Sequence, residues 1–114
     1  MNEKVMQNDN EEQNKTCEII RKLVEQNRFD DCDKIICEEM SKHPHSPEPH
    51  NFFGILLERK GDKVLAMKHF RAAWSLDPAY LPARYNMERY SEFLSDSQYA
   101  FDENDCAKDK ILDD

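Results

Sequence analysis

Glycine and long apolar runs are the scarcest features of this 114-residue chain. It contains two glycines, whereas a β-sandwich or barrel needs many tight turns, and its abundant Glu, Lys, Leu, Met and Ala favour helices. No apolar run approaches the ~20 residues of a membrane-spanning helix, and none follows the polar residues 1–4 as a secretory signal would. We therefore expect one small helical domain, located in the cytoplasm and independent of membranes.

Sequence motifs of catalysis are also missing. The chain has no Gly-rich phosphate loop, no G-x-S-x-G and no H-E-x-x-H. Adjacent carboxylates such as Asp30-Asp31 and Glu38-Glu39 fit a helix cap and a solvent-facing helix surface. We expect no enzyme activity, no catalytic residues and no cofactor.

The cysteines and histidines lack the spacing of a metal site. The four cysteines form no C-x-x-C pair, and disulfides are rare in cytoplasmic proteins. Three histidines flank a proline-rich run, 43–50, and with Cys37 they make the one metal-ligand set worth considering. Zinc sites usually use tight paired spacings that this run lacks, so we interpret it as a solvated turn and expect no metal.

The acidic excess lies at the two ends of the chain. Residues 1–12 carry four acids against one lysine, and residues 95–114 carry seven acids against two lysines. Residues 13–94 are neutral, with thirteen charges of each sign. A nucleic-acid-binding protein needs a basic face, so we expect no nucleic-acid partner. We expect a disordered acidic N-terminus over 1–12, and a C-terminal tail that is either solvated or shields a binding surface.

A period of 34 residues runs through the neutral part. Aligning 13–46 with 47–80 superimposes Pro44 on Pro78, and the pattern continues into 81–94 without an insertion. Further superimposed positions are Ile19 on Phe53, Leu23 on Leu57, Asn27-Arg28 on Gly61-Asp62, Cys32 on Ala66, and Ile36 on Phe70. Each copy has the apolar spacing of two amphipathic helices separated by a short break.

Residues 47–80 resemble a tetratricopeptide repeat, through Gly54, Gly61-Asp62, Ala66, Phe70, Ala73 and Asp77-Pro78. Residues 13–46 resemble a degenerate copy, with Ile20 in the place of Gly54. The resemblance implies an all-α fold, an α–α superhelix of two helix-turn-helix repeats with a capping helix over 81–94. We expect helices near 13–26, 29–42, 47–60, 63–76 and 81–94, and a weak sixth helix over 97–110 within the tail.

The resemblance also implies a function, since such repeats usually bind a peptide or a partner helix along the concave face formed by their first helices. Asn51 and Asn86 are expected to bond to a peptide backbone. Phe52 and Ile55 are either an exposed apolar strip of that groove or residues buried between helices. The complete predicted groove is Arg21, Asn51, Phe52, Ile55, Arg59, Tyr85, Asn86 and Arg89.

Two uses of the chain's last part follow from this arrangement. As one use, the tail lies in the groove as an internal ligand. The end of the last repeat is covered either by Tyr90, Phe93 and Leu94 or by Tyr99 and Phe101, which fold back over it. If neither set covers it, the exposed end face makes the chain self-associate as a weak homodimer. The sequence thus favours a protein-binding adaptor that is a monomer or weak dimer, with self-association as the alternative function.

Overall fold

The computed structural model describes the backbone of residues 2–91 and 98–106, and the side chains of 11–91 and 98–106. Five helices occupy most of this part, and a single helical turn, 103–106, follows. Their bounds are Asn2–Glu25 (α1), Phe29–Lys42 (α2), Glu48–Lys60 (α3), Lys63–Leu76 (α4) and Leu81–Tyr90 (α5). The predicted all-α superhelical fold is confirmed.

The 34-residue period is visible in the backbone as well as in the sequence. Shifting α2 by 34 residues reproduces the bounds of α4. The turns before these two helices also match, because Asn27 and Gly61 both adopt positive φ, 58° and 92°. Glycine adopts this conformation without steric cost, and asparagine tolerates it better than most residues. After the second turn Asp62 caps α4, and its carboxylate accepts a hydrogen bond of 3.2 Å from the Leu65 amide.

The two repeats fill their cores with different pairs of side chains. In the second repeat Phe70 is fully buried against Gly54, and a Cβ added to Gly54 would lie 2.3 Å from the Phe70 ring. In the first repeat the same two positions hold Ile20 and Ile36, which are both fully buried. The first repeat thus uses two medium-sized residues where the second uses one small and one large residue. Both choices give a total side-chain volume that allows close packing of the two helices.

Two helix bounds differ from those expected. Helix α1 starts at Asn2 rather than near residue 13, and residues 2–12, expected to be disordered, continue it. These residues contain neither glycine nor proline, so nothing in them ends a helix. Helix α5 ends at Tyr90, four residues before its predicted end, and residues 92–97 lie outside the described part.

The structure describes residues 98–106 of the weak sixth helix that was expected over 97–110. Residues 98–102 have no regular secondary structure, and only 103–106 form a helical turn. The rest of that prediction, residue 97 and 107–110, lies outside the described residues. The reason for the irregular path is contact with the helices, which is described below.

The helices are arranged in two layers. Helix α3 contacts both α1 and α5, which together form one face of the molecule, while α2 and α4 pack behind them. The main core cluster lies between the layers and includes side chains from every helix. Among the described residues, no helix combines the length and apolarity that crossing a membrane requires.

Candidate functional site

The candidate site is the face formed by α1, α3 and α5, which we call the groove. Residues 98–106, which we call the tail segment, cross all three helices of this face. They contact Cys17 and Arg21 on α1, Asn51 on α3 and Asn86 on α5. The chain therefore places part of its own C-terminal region where a bound peptide was expected.

Two asparagines hold the backbone of the tail segment at Ala100. The Asn86 side-chain amide donates to the Ala100 carbonyl at 2.8 Å, and the Ala100 amide donates back to Asn86 Oδ1 at 2.8 Å. Asn51 Nδ2 donates to the same carbonyl at 3.0 Å, and Asn86 Nδ2 also donates to Asn51 Oδ1 at 2.9 Å. All three residues are fully buried. Because the asparagines contact main-chain atoms, this clamp does not depend on which side chain the held residue carries.

Aromatic side chains flank the clamped residue. The Tyr99 ring lies 4.9 Å from the ring of Tyr90 on α5, and the Phe101 ring makes an edge contact with Tyr99 at 6.4 Å. Both tail aromatics are buried and belong to the main core cluster together with Phe52 and Ile55. Contacts of this kind add to the apolar area that the tail segment removes from water.

Arg21 supplies the positive charge of the groove. Its guanidinium lies 4.7 Å from the centre of the Phe101 ring, 3.4 Å from Asp102 Oδ2 and 3.2 Å from Asp105 Oδ2. The same two aspartates organise the helical turn, since Asp102 Oδ1 accepts from the Asp105 amide and Asp105 Oδ2 accepts from the Phe101 and Asp102 amides. This reciprocal arrangement is a capping box, and it presents both carboxylates to one cation.

Cys17 lies under the tail segment. Its thiol donates to the Phe101 carbonyl over 3.6 Å, and burial, with a smaller effect of Asp102, raises the pKa of Cys17 to about 11. The thiol is therefore protonated and unreactive while the tail segment is in place. Beside it a pocket of about 140 Å³ extends along α1 and the start of α3, with Phe52, Phe101 and Glu103 among its lining residues. The groove thus has unfilled space next to the tail segment.

The eight predicted groove residues fall into three groups. Arg21, Asn51 and Asn86 contact the tail segment directly. Phe52 and Ile55, expected either as an exposed strip or as buried residues, are buried. The other three are partly exposed at the edges. Arg59 donates to Asn27 at 3.2 Å and lines a recess with Tyr99, while Arg89 lies 5.7 Å from the Tyr85 ring.

Sequence reasoning missed some residues of the site. Tyr80 is one of them, since its hydroxyl accepts a 3.4 Å hydrogen bond from the side-chain amide of Asn51. Burial raises the pKa of Tyr80 well above its usual value, so the hydroxyl stays neutral. Asp102 and Asp105 were also missed, although the D-x-x-D spacing is that of a capping box and would have indicated a helical turn.

The histidines of the 43–50 run do not converge with Cys37. His50 instead pairs with His69 of α4, with their Nδ1 atoms 3.1 Å apart and their rings stacked. Within the described residues, no three His, Cys, Asp or Glu side chains are close enough to hold a metal ion.

Comparisons with known proteins give one partial match. Over 52 residues the chain is 38% identical to the mitochondrial import receptor subunit TOM70 of Saccharomyces cerevisiae, in two strains. The match covers 46% of this chain and 8% of the length of that relative. No family model matches the chain, and no solved structure matches it.

Proposed function

We propose that this chain is a non-catalytic, tetratricopeptide-type module that binds a segment of a partner protein in the groove of α1, α3 and α5. One observation carries the proposal, namely the clamp of Asn51 and Asn86 on the backbone of Ala100. Buried amides that bond to a main chain are suited to binding a peptide of variable sequence. The partial likeness to a mitochondrial import receptor subunit supports a binding function and not a catalytic one.

The 34-residue period supports the assignment to the tetratricopeptide class. The bounds of α2 and α4 and the positive φ at Asn27 and Gly61 repeat as that architecture requires. The cytoplasmic location and the absence of nucleic-acid partners stay predictions.

The test is a search for peptides that depend on the clamp. A library of random dodecapeptides displayed on phage is selected against the full chain and against the full-chain variant Ala100→Arg. Ala100 is fully buried between the asparagines, so the arginine side chain has no room and the tail segment leaves the groove. The function predicts peptides that bind and that lose about tenfold in affinity when Asn86→Ala is added, since removing one partner of a buried hydrogen bond leaves the other unsatisfied at a cost of about 1–3 kcal/mol.

The matched control is Arg71→Ala, because Arg71 is exposed on α4, in the layer behind the groove. Peptides that bind equally to the Asn86→Ala and Arg71→Ala variants would move the binding surface away from the groove. No selected peptide on either form of the chain would contradict the function.

Self-association is the second candidate, and a specific observation favours it. Among the side chains that the structure describes, six large apolar ones are at least 38% exposed, and five of these lie on α4 or at the start of α5. These five are Val64, Leu65, Trp74, Leu76 and Leu81. Sedimentation equilibrium tests this function, which requires a concentration-dependent dimer that Trp74→Arg dissociates.

A further inference from the structure

The tail segment has the properties of a ligand rather than those of an additional helix. It is irregular at the clamped residue, it meets the groove through main-chain bonds, and its carboxylates meet a cation of the groove. Burying polar groups costs free energy unless each is bonded, so a groove that holds main-chain atoms needs polar side chains that an apolar core contact does not. The two fully buried asparagines bond to each other, to Tyr80 and to Ala100, and are suited to a groove whose occupant exchanges.

The ion pairs that hold the far end of the tail segment depend on one partly exposed cation. The three contacts of Arg21 with Asp102 and Asp105 measure 3.2 to 3.4 Å, and the Arg21 side chain is 22% exposed. Asp102 is 37% exposed, so salt screens its pair, whereas Asp105 is 14% exposed and faces the guanidinium with both carboxylate oxygens. All three contacts join side chains, so their loss breaks no backbone hydrogen bond of a helix.

Resting on the function proposed above, we infer that the tail segment is an internal competitor, and that the partner is a protein segment that reproduces its pattern. That pattern is an aromatic residue, a small residue and a second aromatic residue, followed by carboxylates one and four positions later. The small residue fits the buried position of Ala100, the aromatics fit against Tyr90 and Arg21, and the carboxylates pair with Arg21. The chain as a whole carries a net charge of −8, so selection of an acidic partner depends on this local cation.

Competition sets a lower limit, or floor, on the apparent Kd of the wild-type chain. A segment joined by a short linker has an effective concentration on the order of 1 mM at its own site. A partner that makes the same contacts must displace it, so its apparent Kd in the wild-type chain cannot fall below about this value. Releasing the tail segment removes the floor and reveals the intrinsic Kd of the groove.

The probe is a fluorescein-labelled synthetic peptide of residues 98–106, with serine in place of Cys106 and with neutral ends. Its binding to full-length chains is followed by fluorescence anisotropy. We expect a Kd near or above 1 mM for the wild type and a Kd at least about tenfold lower for Ala100→Arg, because the floor is then absent. Asp102→Asn with Asp105→Asn, made in the protein but not in the probe, weakens the tail segment less drastically and is expected to lower the Kd by about threefold or more.

Matched controls separate release of the tail segment from general effects of charge. The double variant Asp30→Asn, Glu38→Gln also removes two negative charges, but from exposed positions of α2. We expect its Kd for the probe to stay within about twofold of the wild-type value. A probe with arginine in place of its Ala100 should not bind any variant. Adding Asn86→Ala to the Ala100→Arg chain should weaken probe binding about tenfold or more.

The outcomes distinguish the inference from the proposed function. Equal probe binding by the wild type and both released variants would overturn internal competition and leave the function intact. If library peptides bind through Asn86 but the probe does not, the inferred pattern is wrong while the function stands. If the wild type is a dimer and Ala100→Arg abolishes it, the groove binds the tail segment of a second copy of this chain. That result would overturn the inference that a different protein occupies the groove.

Discussion

Replacing Gly54 by alanine tests how the second repeat sets the geometry of the groove. An added Cβ would lie 2.3, 2.5 and 2.7 Å from three atoms of the Phe70 ring, well inside van der Waals contact. Phe70 is fully buried and cannot turn away into solvent, so α3 and α4 must separate. Overpacking of this kind costs about 1–3 kcal/mol.

Helix propensity acts in the opposite direction. Alanine is favoured over glycine within a helix by about 0.8–1.0 kcal/mol, and Gly54 lies in the middle of α3. The net expectation for Gly54→Ala is therefore a loss of up to about 2 kcal/mol in the free energy of unfolding. Urea unfolding followed by circular dichroism at 222 nm measures it. Ser75→Ala, at an exposed position of α4, shows the gain from helix propensity without a steric clash.

A second substitution identifies the cause of the loss. Phe70→Leu replaces the opposing ring by a smaller side chain. The first repeat has a similarly smaller residue at that position, Ile36, which faces Ile20. If the clash is responsible, the double variant loses less free energy of unfolding than the two single variants lose together, by about 1 kcal/mol or more. A Gly54→Ala chain that is more stable than the wild type, or effects that add, would refute this account of the helix contact.

Two further predictions concern the histidines and the thiols. Burial lowers the pKa of His50 and of His69, the latter also through the charge of His50, so the unfolded chain binds more protons and stability falls as the pH drops below about 6.5. Urea unfolding at pH 7.5 and 5.0 checks this, and His69→Gln should reduce the difference between the two values. The thiols can be labelled with a thiol reagent and the modified cysteines identified by mass spectrometry. Exposed Cys37 should react first, and Cys17 should react at the rate at which the tail segment opens. Core Cys32 should react only when the whole chain unfolds. Simultaneous labelling of Cys17 and Cys32 would show that the tail segment does not open by itself.

The helices were predictable because their limits are encoded locally. Gly61 and Asp62 end one helix and cap the next, and Pro78 stops α4, so the bounds of α2, α3 and α4 agree with the sequence prediction to within one residue. Helical phase predicts that Asn51 and Asn86 lie on the groove-facing side of α3 and α5, and in the structure both contact Ala100 of the tail segment.

The path of the tail segment was not predictable in the same way. Its contacts join residues far apart in sequence, such as Phe101 with Cys17 and Ala100 with Asn51. No apolar periodicity marks residues 98–102, because their position depends on main-chain bonds to the groove and not on a helical face. The sequence allowed a tail that is solvated, bound in the groove or folded back over the last repeat, and local patterns could not choose among these.

The contacts of the tail segment divide affinity from specificity. The asparagine clamp bonds to a main-chain amide and carbonyl, which every residue except proline offers, so it holds a segment without reading its sequence. Selection must come from the neighbouring positions, where Tyr90 receives an aromatic ring and Arg21 receives a ring and two carboxylates. Substituting Arg21 should therefore change which segments bind, whereas substituting Asn86 should weaken all of them to a similar extent.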